Sequence, residues 1–292
     1  MSLLLTCSWS RERTAREMPA ETDIFGHTVL IGERINPTGR KALAEKLAAG
    51  DLDIVGAEAR AQSEAGCDFI DVNVGAPGVD EVGLLRRAAP LAAVESGLPV
   101  CIDSSDPAAL DAALADASPG WMVNSVTGDH DHIDTVLPAA VKAGAYVIGM
   151  AKDHTGIPET AVARIEMAEK IAVRCDGFGL PRSMLLIDFL TLPVATGAES
   201  TAVTLECLGR AHDELGCRTV LGASNVSFGM PVRSVINAAF LSMAIAAGLD
   251  ATIIDPLNET IVSAILAADI LAGKDRMSRR LLKWHRSHGR KD

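Results

Sequence analysis

Polar side chains follow short apolar runs at eight places along the chain. The first run, TVLIGER (28–34), leads from branched aliphatic residues to Glu33, and Asn36 follows two residues later. In chain order the polar residues are Glu33 and Asn36, Asp71 and Asn73, Asp103, Asn124, Lys152, Asp188, Asn225 and Asp255. A charged or amide side chain at the end of a buried segment costs free energy unless a partner satisfies it. Eight such ends therefore predict a binding site.

The residue types of this set indicate the kind of ligand. A carboxylate accepts two parallel N–H bonds from a guanidine-like edge, and an asparagine amide both donates and accepts. We therefore expect a flat heterocycle edged with N–H donors. A phosphate ligand would need cations or a glycine-rich loop, and only Lys152 and Arg233 qualify. Asp71, Asp103 and Asp188 could hold a divalent cation, but the interspersed asparagines are weak ligands, so we expect no metal.

The eight apolar runs are predicted β-strands, because each is short, rich in Val and Ile, and often preceded by Gly or Pro. The runs are TVLIGER (28–34), FIDVNVG (69–75), VCIDSS (100–105), WMVNSV (121–126), YVIGMAK (146–152), MLLIDFL (184–190), TVLGASN (219–225) and ATIIDPL (251–257). Amphipathic helical stretches separate them, such as EVGLLRRAAPLAAVES (81–96) and RSVINAAFLSMAIAAG (233–248).

A strand followed by a helix, eight times over about 250 residues, predicts an α/β fold, a (β/α)8 TIM barrel in a single domain. The carboxyl ends of the strands meet at one face of such a barrel, where catalytic groups lie. A doubly wound sheet is the alternative, but the phosphate-binding GxGxxG is missing after the first strand.

Composition narrows the class of protein. The net charge of −11 argues against binding to bulk nucleic acid. No apolar run reaches the roughly 18 residues that a membrane-spanning helix needs. The six cysteines lie far apart without a CxxC pair, which favours reduced thiols in a cytoplasmic protein.

The two ends of the chain differ from the repeating pattern. We expect residues 1–24 to be a flexible leader, 25–273 to form the barrel, and the basic stretch 274–292 to be a tail that begins as a helix. The stretch DHDHID (129–134) contains His130 and His132, which could bind a metal. We interpret it instead as the first turn of the helix after strand four.

Six motifs resemble, in order, those of the pterin-binding methyltransferase family. They are GERINPTG, DVNVGAP, CIDSS, MVNS, LIDFL and GASNVSFG, within a match from about residue 28 to about residue 270. That family includes the methyltetrahydrofolate:corrinoid protein methyltransferases and the folate domain of cobalamin-dependent methionine synthase. The resemblance implies a TIM barrel, usually a homodimer, that binds 5-methyltetrahydrofolate at its carboxyl-terminal face.

The resemblance also implies residue roles. Asp103, Asn124 and Asp188 match residues that hydrogen-bond the pterin ring, and Asn225 matches the asparagine that reaches the methyl-bearing N-5. The full expected substrate-binding set is Glu33, Asn36, Asp71, Asn73, Asp103, Asn124, Asp188, Gly222, Asn225, Ser227 and Arg233, with Asn225 and Asp188 as catalytic residues.

The second substrate, which accepts or donates the methyl group, is expected to be cobalamin carried by a separate corrinoid protein, because this chain lacks a cobalamin-binding DxHxxG motif. Phe228 stands where the family's transferases often have a polar residue. Tetrahydrofolate and 5-methyltetrahydrofolate are then substrates of a transferase, with the direction of methyl flow left open.

Two other functions remain. A dihydropteroate synthase shares the barrel and the pterin pocket, but it should carry a lysine- and arginine-bearing signature near strands seven and eight, where this chain reads GASNVSFG and IIDPLN. A non-catalytic folate-binding barrel would keep the pocket, and only an activity assay separates it from the transferase.

Overall fold

The eight apolar runs form eight parallel strands that close into a barrel. The computed structural model describes residues 24–197 and 199–288. The strands are β1 Val29–Ile35, β2 Phe69–Val72, β3 Val100–Asp103, β4 Met122–Thr127, β5 Tyr146–Met150, β6 Leu185–Asp188, β7 Arg218–Gly222 and β8 Ala251–Ile254. Each strand pairs with the next along the chain, and β8 pairs with β1. The predicted single-domain (β/α)8 barrel is confirmed.

Helices follow the strands along the chain. They are α1 Lys41–Ala48, α2 Asp53–Glu64, α3 Glu81–Ser96, α4 Pro107–Leu114, α5 His130–Ala143, α6 Ala161–Gly177, α7 Glu199–Leu215, α8 Arg233–Ala246, α9 Glu259–Leu271 and α10 Arg279–His288. Helices α1 to α8 connect the strands around the outside of the barrel, and α9 and α10 follow β8. The two stretches chosen for their helical periodicity are α3 and α8. His130 and His132 lie in the first turn of α5, as predicted from the sequence.

Several strands end earlier than the apolar runs suggest. β2 ends at Val72, so Asn73 follows the strand, and β7 ends at Gly222 before a single 3-10 turn, Ala223–Asn225. Ser and Asn side chains compete for local backbone hydrogen bonds and therefore favour turns over strands. The polar residues consequently lie at strand ends and in the turns that follow.

The inside of the barrel changes from apolar to polar along the strand direction. Successive residues of a strand face opposite sides, so every second residue points inward. The inner apolar cluster includes Val29, Ile31, Phe69, Cys101, Met122, Ile148, Leu186, Val220 and Ala251. Two residues further along the inward-facing series come Glu33, Asp71, Asp103, Asn124, Met150, Asp188, Gly222 and Ile253. The barrel thus has an apolar floor below a largely polar mouth.

The helix α10 is attached to the amino-terminal end of the barrel. Arg280 Nη1 donates to the Thr28 carbonyl at 3.1 Å and to Asp269 Oδ2 at 3.3 Å, and its Nη2 donates to Asp68 Oδ2 at 3.2 Å. Part of the predicted basic tail is therefore a docked helix. Of the predicted leader, residues 1–23 lie outside the described residues, as do the last four residues of the tail, 289–292.

Two further findings concern the expected class of protein. Within residues 24–197 and 199–288 we find no helix with the length and apolar character that crossing a bilayer requires. Five cysteines of the described chain are buried free thiols, namely Cys67, Cys101, Cys175, Cys207 and Cys217.

Candidate functional site at the carboxyl-terminal mouth

Two carboxylate–amide pairs lie side by side at the ends of β2, β3 and β4. Asn73 Nδ2 donates to Asp103 Oδ2 at 3.0 Å, and Asn124 Nδ2 donates to Asp71 Oδ1 at 3.3 Å. The strand register accounts for the first pair, because Asp71 is level with Cys101 and Asn73, two residues further on, therefore comes level with Asp103. Asp103 is in turn level with Asn124, which brings the second pair beside the first. The structure therefore brings these four predicted residues into one polar cluster.

The carboxylates of this cluster are deeply buried, which changes their protonation. Asp71 is only 2% exposed, and burial together with the neighbouring charge of Asp103 holds its pKa well above the ordinary value. Burial raises the pKa of Asp103 to about 6, the Asn73 amide acts in the opposite direction, and the Glu81 charge raises it further. A ligand that offers N–H donors would lower the cost of ionising these groups.

Asp188 closes β6 on the opposite side of the mouth. The Leu190 N–H donates to its Oδ1 at 2.7 Å, whereas its Oδ2 accepts no hydrogen bond from the described residues. Burial raises the pKa of Asp188 to about 6, against the Leu190 hydrogen bond and the charge of Arg164. One carboxylate oxygen is thus held by the protein and the other is left for a ligand.

The turn after β7 is tied to β1 by a second polar cluster. Ser224 Oγ donates to Glu33 Oε1 at 2.9 Å, and burial raises the pKa of Glu33 above its ordinary value. Arg233 Nε donates to Ser227 Oγ at 3.0 Å, and its Nη2 donates to the Ser224 carbonyl at 2.7 Å. Arg233 therefore stabilises the segment that carries Asn225.

Gly222 leaves open space at the mouth, and Asn225 offers an available side-chain amide. A methyl group built at Gly222 would meet no heavy atom within 4 Å, so this inward-facing position borders open space. Asn225 is exposed, and its side chain makes no hydrogen bond with the described residues. Only its main-chain carbonyl accepts the Phe228 N–H, at 3.0 Å. The amide does not cap its own turn and is free to bind a ligand.

Two of the polar strand ends have local partners. Asn36 Oδ1 accepts the Thr38 N–H at 2.9 Å and so stabilises the turn after β1. Asp255 Oδ2 accepts Arg34 Nη1 at 3.1 Å, and Asp255 Oδ1 accepts the Leu257 N–H at 3.0 Å. Both contacts are within the protein, and for Asn36 the expected contact with substrate stays a prediction.

Three residues that support the site were not singled out from the sequence. Glu81 accepts the Ser104 hydroxyl and faces Asp103, Ser224 binds Glu33, and Arg164 acts on Asp188. Ser224 lies inside the GASN motif, so the sequence pattern around it pointed to this position. No sequence pattern pointed to Arg164, because the groups that accept its hydrogen bonds are main-chain carbonyls and a hydroxyl elsewhere in the chain.

Metal binding was considered for the aspartates of the mouth. Across the part of the chain that the structure describes, no three His, Cys, Asp or Glu side chains form a group that could hold a metal ion. The amides of Asn73 and Asn124 instead occupy oxygens of Asp103 and Asp71. The donor set of the mouth suits hydrogen bonding to an organic ring better than cation binding.

Known proteins of similar sequence share most of this chain. It is 29% identical over 266 residues to the methylcorrinoid:tetrahydrofolate methyltransferase of Eubacterium limosum, covering 88% of this chain and 96% of that protein. It is 32% identical over 245 residues to the methionine synthase of Mycobacterium tuberculosis, covering 77% of this chain but only 20% of that longer protein.

Solved structures of similar fold include dihydropteroate synthases. That of Yersinia pestis has a TM-score of 0.63 at 18% sequence identity, over 88% of this chain and 98% of that one. That of Vibrio fischeri has a TM-score of 0.63 at 16% identity, over 86% and 95%. At these identities the likeness shows the fold alone. The family model described as "Pterin binding enzyme" matches residues 32–255, and the chain belongs to that family.

Proposed function

We propose that this protein is a methyltransferase that moves a methyl group between N-5 of 5-methyltetrahydrofolate and the cobalt of a corrinoid protein. The observation that carries the proposal is the likeness to a methylcorrinoid:tetrahydrofolate methyltransferase over nearly the full length of both chains. This chain also matches one fifth of the length of a methionine synthase. The name of that protein also denotes methyl chemistry, so the match adds support.

The mouth suits recognition of a pterin ring. A pterin presents a guanidine-like edge with adjacent N–H donors, and a carboxylate accepts such an edge with two parallel hydrogen bonds. Asp188 has one oxygen without a protein partner, and Asp71 and Asp103 are buried carboxylates whose pKa values are raised. Binding of the pterin would stabilise their ionised forms.

Asn225 is the residue we assign to the methyl-bearing nitrogen. A methyl group on a tertiary amine is a poor electrophile, because the departing nitrogen would carry the electron pair of the broken bond as an anion. The Asn225 amide donates a hydrogen bond to N-5 that strengthens as the C–N bond breaks. The methyl carbon bonds to the electron pair of the reduced cobalt, and N-5 takes a proton.

The source of that proton is water or the hydrogen-bonded network around Asp188, since an amide is too weak an acid to supply it. In the reverse direction, tetrahydrofolate loses the proton and takes the methyl group from cobalt, with the same residues in place.

The turn beside Asn225 is the side from which we expect the corrinoid protein to approach. Phe228 is 65% exposed and Val232 is 71% exposed, so two apolar side chains project next to the available amide. Apolar side chains at such a rim suit contact with a large, partly apolar macrocycle better than with water. The homodimer and the cytoplasmic location stay predictions.

The test is methyl transfer by the purified full chain after dialysis against a strong chelator. Mixed anaerobically with 5-methyltetrahydrofolate and free cob(I)alamin, the protein should produce methylcobalamin and tetrahydrofolate at the rate it has before dialysis. The matched control is Asp103→Ala, which we expect to weaken binding of 5-methyltetrahydrofolate by roughly 10- to 100-fold.

Two outcomes would contradict the proposed reaction, and a third would contradict its independence from an added metal ion. Binding of 5-methyltetrahydrofolate without any transfer would favour a folate-binding barrel. Formation of dihydropteroate from p-aminobenzoate and a pterin pyrophosphate would favour a synthase. If dialysis abolished methyl transfer and added zinc or magnesium restored it, our inference that the residues of the mouth act without a metal ion would be wrong.

A further inference from the structure

Arg164 is a buried guanidinium beneath the end of β6. Its side chain is 1% exposed, and within the described residues it forms no ion pair. Its Nε donates to the Pro158 carbonyl at 2.8 Å, and its Nη1 lies 2.7 Å from the Phe189 carbonyl and 3.0 Å from the Leu190 carbonyl. A buried charge held mainly by main-chain carbonyls is costly to desolvate, so its position requires a reason.

The carbonyls that Arg164 binds belong to the turn that orients Asp188. Leu190 has a φ of 62°, a left-handed conformation that is strained for a non-glycine residue. In this conformation the Leu190 N–H donates to Asp188 Oδ1 at 2.7 Å, while its carbonyl accepts Arg164 and, at 3.1 Å, the Thr204 hydroxyl of α7. The guanidinium therefore stabilises a strained turn whose N–H fixes the carboxylate.

We propose that Arg164 is a positioning residue for pterin recognition: it holds the turn after β6 so that Asp188 presents its second oxygen to the N–H edge of the pterin. This inference rests on the proposed function only for the identity of the ligand. Arg164 does not contact the substrate, and it acts through Asp188.

Electrostatics support the same assignment. Burial raises the pKa of Asp188 to about 6, while the Leu190 N–H and the positive charge of Arg164, from α6, act in the opposite direction. Arg164 itself is faced by the Cys207 thiol of α7 and by Asp188, and burial lowers its pKa from the ordinary value. Removing the guanidinium would let the pKa of Asp188 rise further, so that the ionised carboxylate would be lost at a higher pH.

The test is calorimetric titration with 5-methyltetrahydrofolate between pH 5 and pH 8. Arg164→Met should raise the dissociation constant at pH 7 by about tenfold or more, and the pH below which binding weakens should move upward. Arg164→Lys keeps the charge but not the planar fork, so it should restore much of the pH profile and less of the affinity. Thr204→Val, which removes one anchor of the Leu190 carbonyl, should have a smaller effect in the same direction.

The matched control is Arg182→Met, the same substitution near the opposite end of β6. Arg182 Nη1 donates to the Leu215 carbonyl at 2.6 Å and to Glu169 Oε2 at 3.0 Å, far along the strand from Asp188. This variant should lower the melting temperature without changing the dissociation constant or its pH profile. It separates a general loss of stability from a loss of positioning.

The outcomes distinguish the two proposals. A folded Arg164→Met protein that binds as the parent does at every pH would overturn the role of Arg164. If that variant fails to fold, parent-like titrations of both Arg164→Lys and Thr204→Val would overturn it equally. A parent that binds 5-methyltetrahydrofolate but transfers no methyl group would refute the proposed function alone, and a parent that binds no folate would refute both.

Discussion

Asp188 illustrates at the scale of one residue how the site opposes the stability of the protein. Burial raises its pKa from 3.8 to about 6, so the folded protein binds this proton more tightly than the unfolded chain does. Stability from this group is therefore fully present below pH 4 and is lost as the pH rises through about 6. At pH 7 the ionised carboxylate costs the ligand-free fold on the order of 3 kcal/mol.

We accordingly predict that Asp188→Asn stabilises the ligand-free protein at pH 7, by up to about 3 kcal/mol, and has little effect at pH 4. The same substitution should weaken binding of 5-methyltetrahydrofolate, because an amide accepts fewer N–H bonds than a carboxylate. Urea denaturation at both pH values measures the stability. The control is Asp213→Asn, at an exposed position of α7. If the free energy of unfolding depended on pH in the same way in both variants, the assigned cost of ionising the buried Asp188 would be refuted.

Single residues also show what the sequence can and cannot predict. Asp71, Asn73, Asp103 and Asn124 were predictable as neighbours, because each follows an apolar run and parallel strands bring such ends together. Arg164 was not, because its role depends on carbonyl positions that no residue type specifies. The partner of Asn36 depends on the turn at Thr38, which the motif alone does not reveal.

At the scale of whole elements, the order of strands and helices followed from periodicity, whereas element ends and the docking of α10 did not. The basic residues of the tail look alike in sequence, but Arg280 binds Asp68, which is 212 positions away, and Asp269. Asp269 is completely buried and also accepts the Thr28 hydroxyl at 2.6 Å. Which arginine of the tail is structural thus depends on contacts between distant segments.

We predict that Arg280→Met lowers the free energy of unfolding by about 3 kcal/mol, because it leaves the buried Asp269 carboxylate without its cation. Urea denaturation measures the loss, and methyl transfer by the folded fraction should keep its rate, since this contact is at the far end of the barrel. Arg286→Met is the matched control, at an exposed position of the same helix. Equal stability of the two variants would show that α10 is not held through Arg280.

At the scale of the whole molecule, the barrel explains where the site is but not which reaction it performs. Dihydropteroate synthases share the architecture at TM-scores near 0.63, and one fold supports many chemistries. The reaction depends instead on the set of side chains that line the mouth above the apolar floor. Here that set is dominated by Asp and Asn, with Asn225 as an amide that has no hydrogen-bond partner among the described residues.

Asn225 is the residue that we assign to the methyl-bearing nitrogen, and rapid mixing with cob(I)alamin under single-turnover conditions measures the step that it should accelerate. Loss of one such donor costs about 3 kcal/mol in the barrier, so Asn225→Ala should transfer the methyl group on the order of a hundredfold more slowly than the parent, with a smaller loss of folate affinity. The control is Asn258→Ala, which removes the amide that caps α9 and should lower stability alone. An Asn225→Ala protein that folds, binds 5-methyltetrahydrofolate and forms methylcobalamin at the parent rate would refute this role of Asn225.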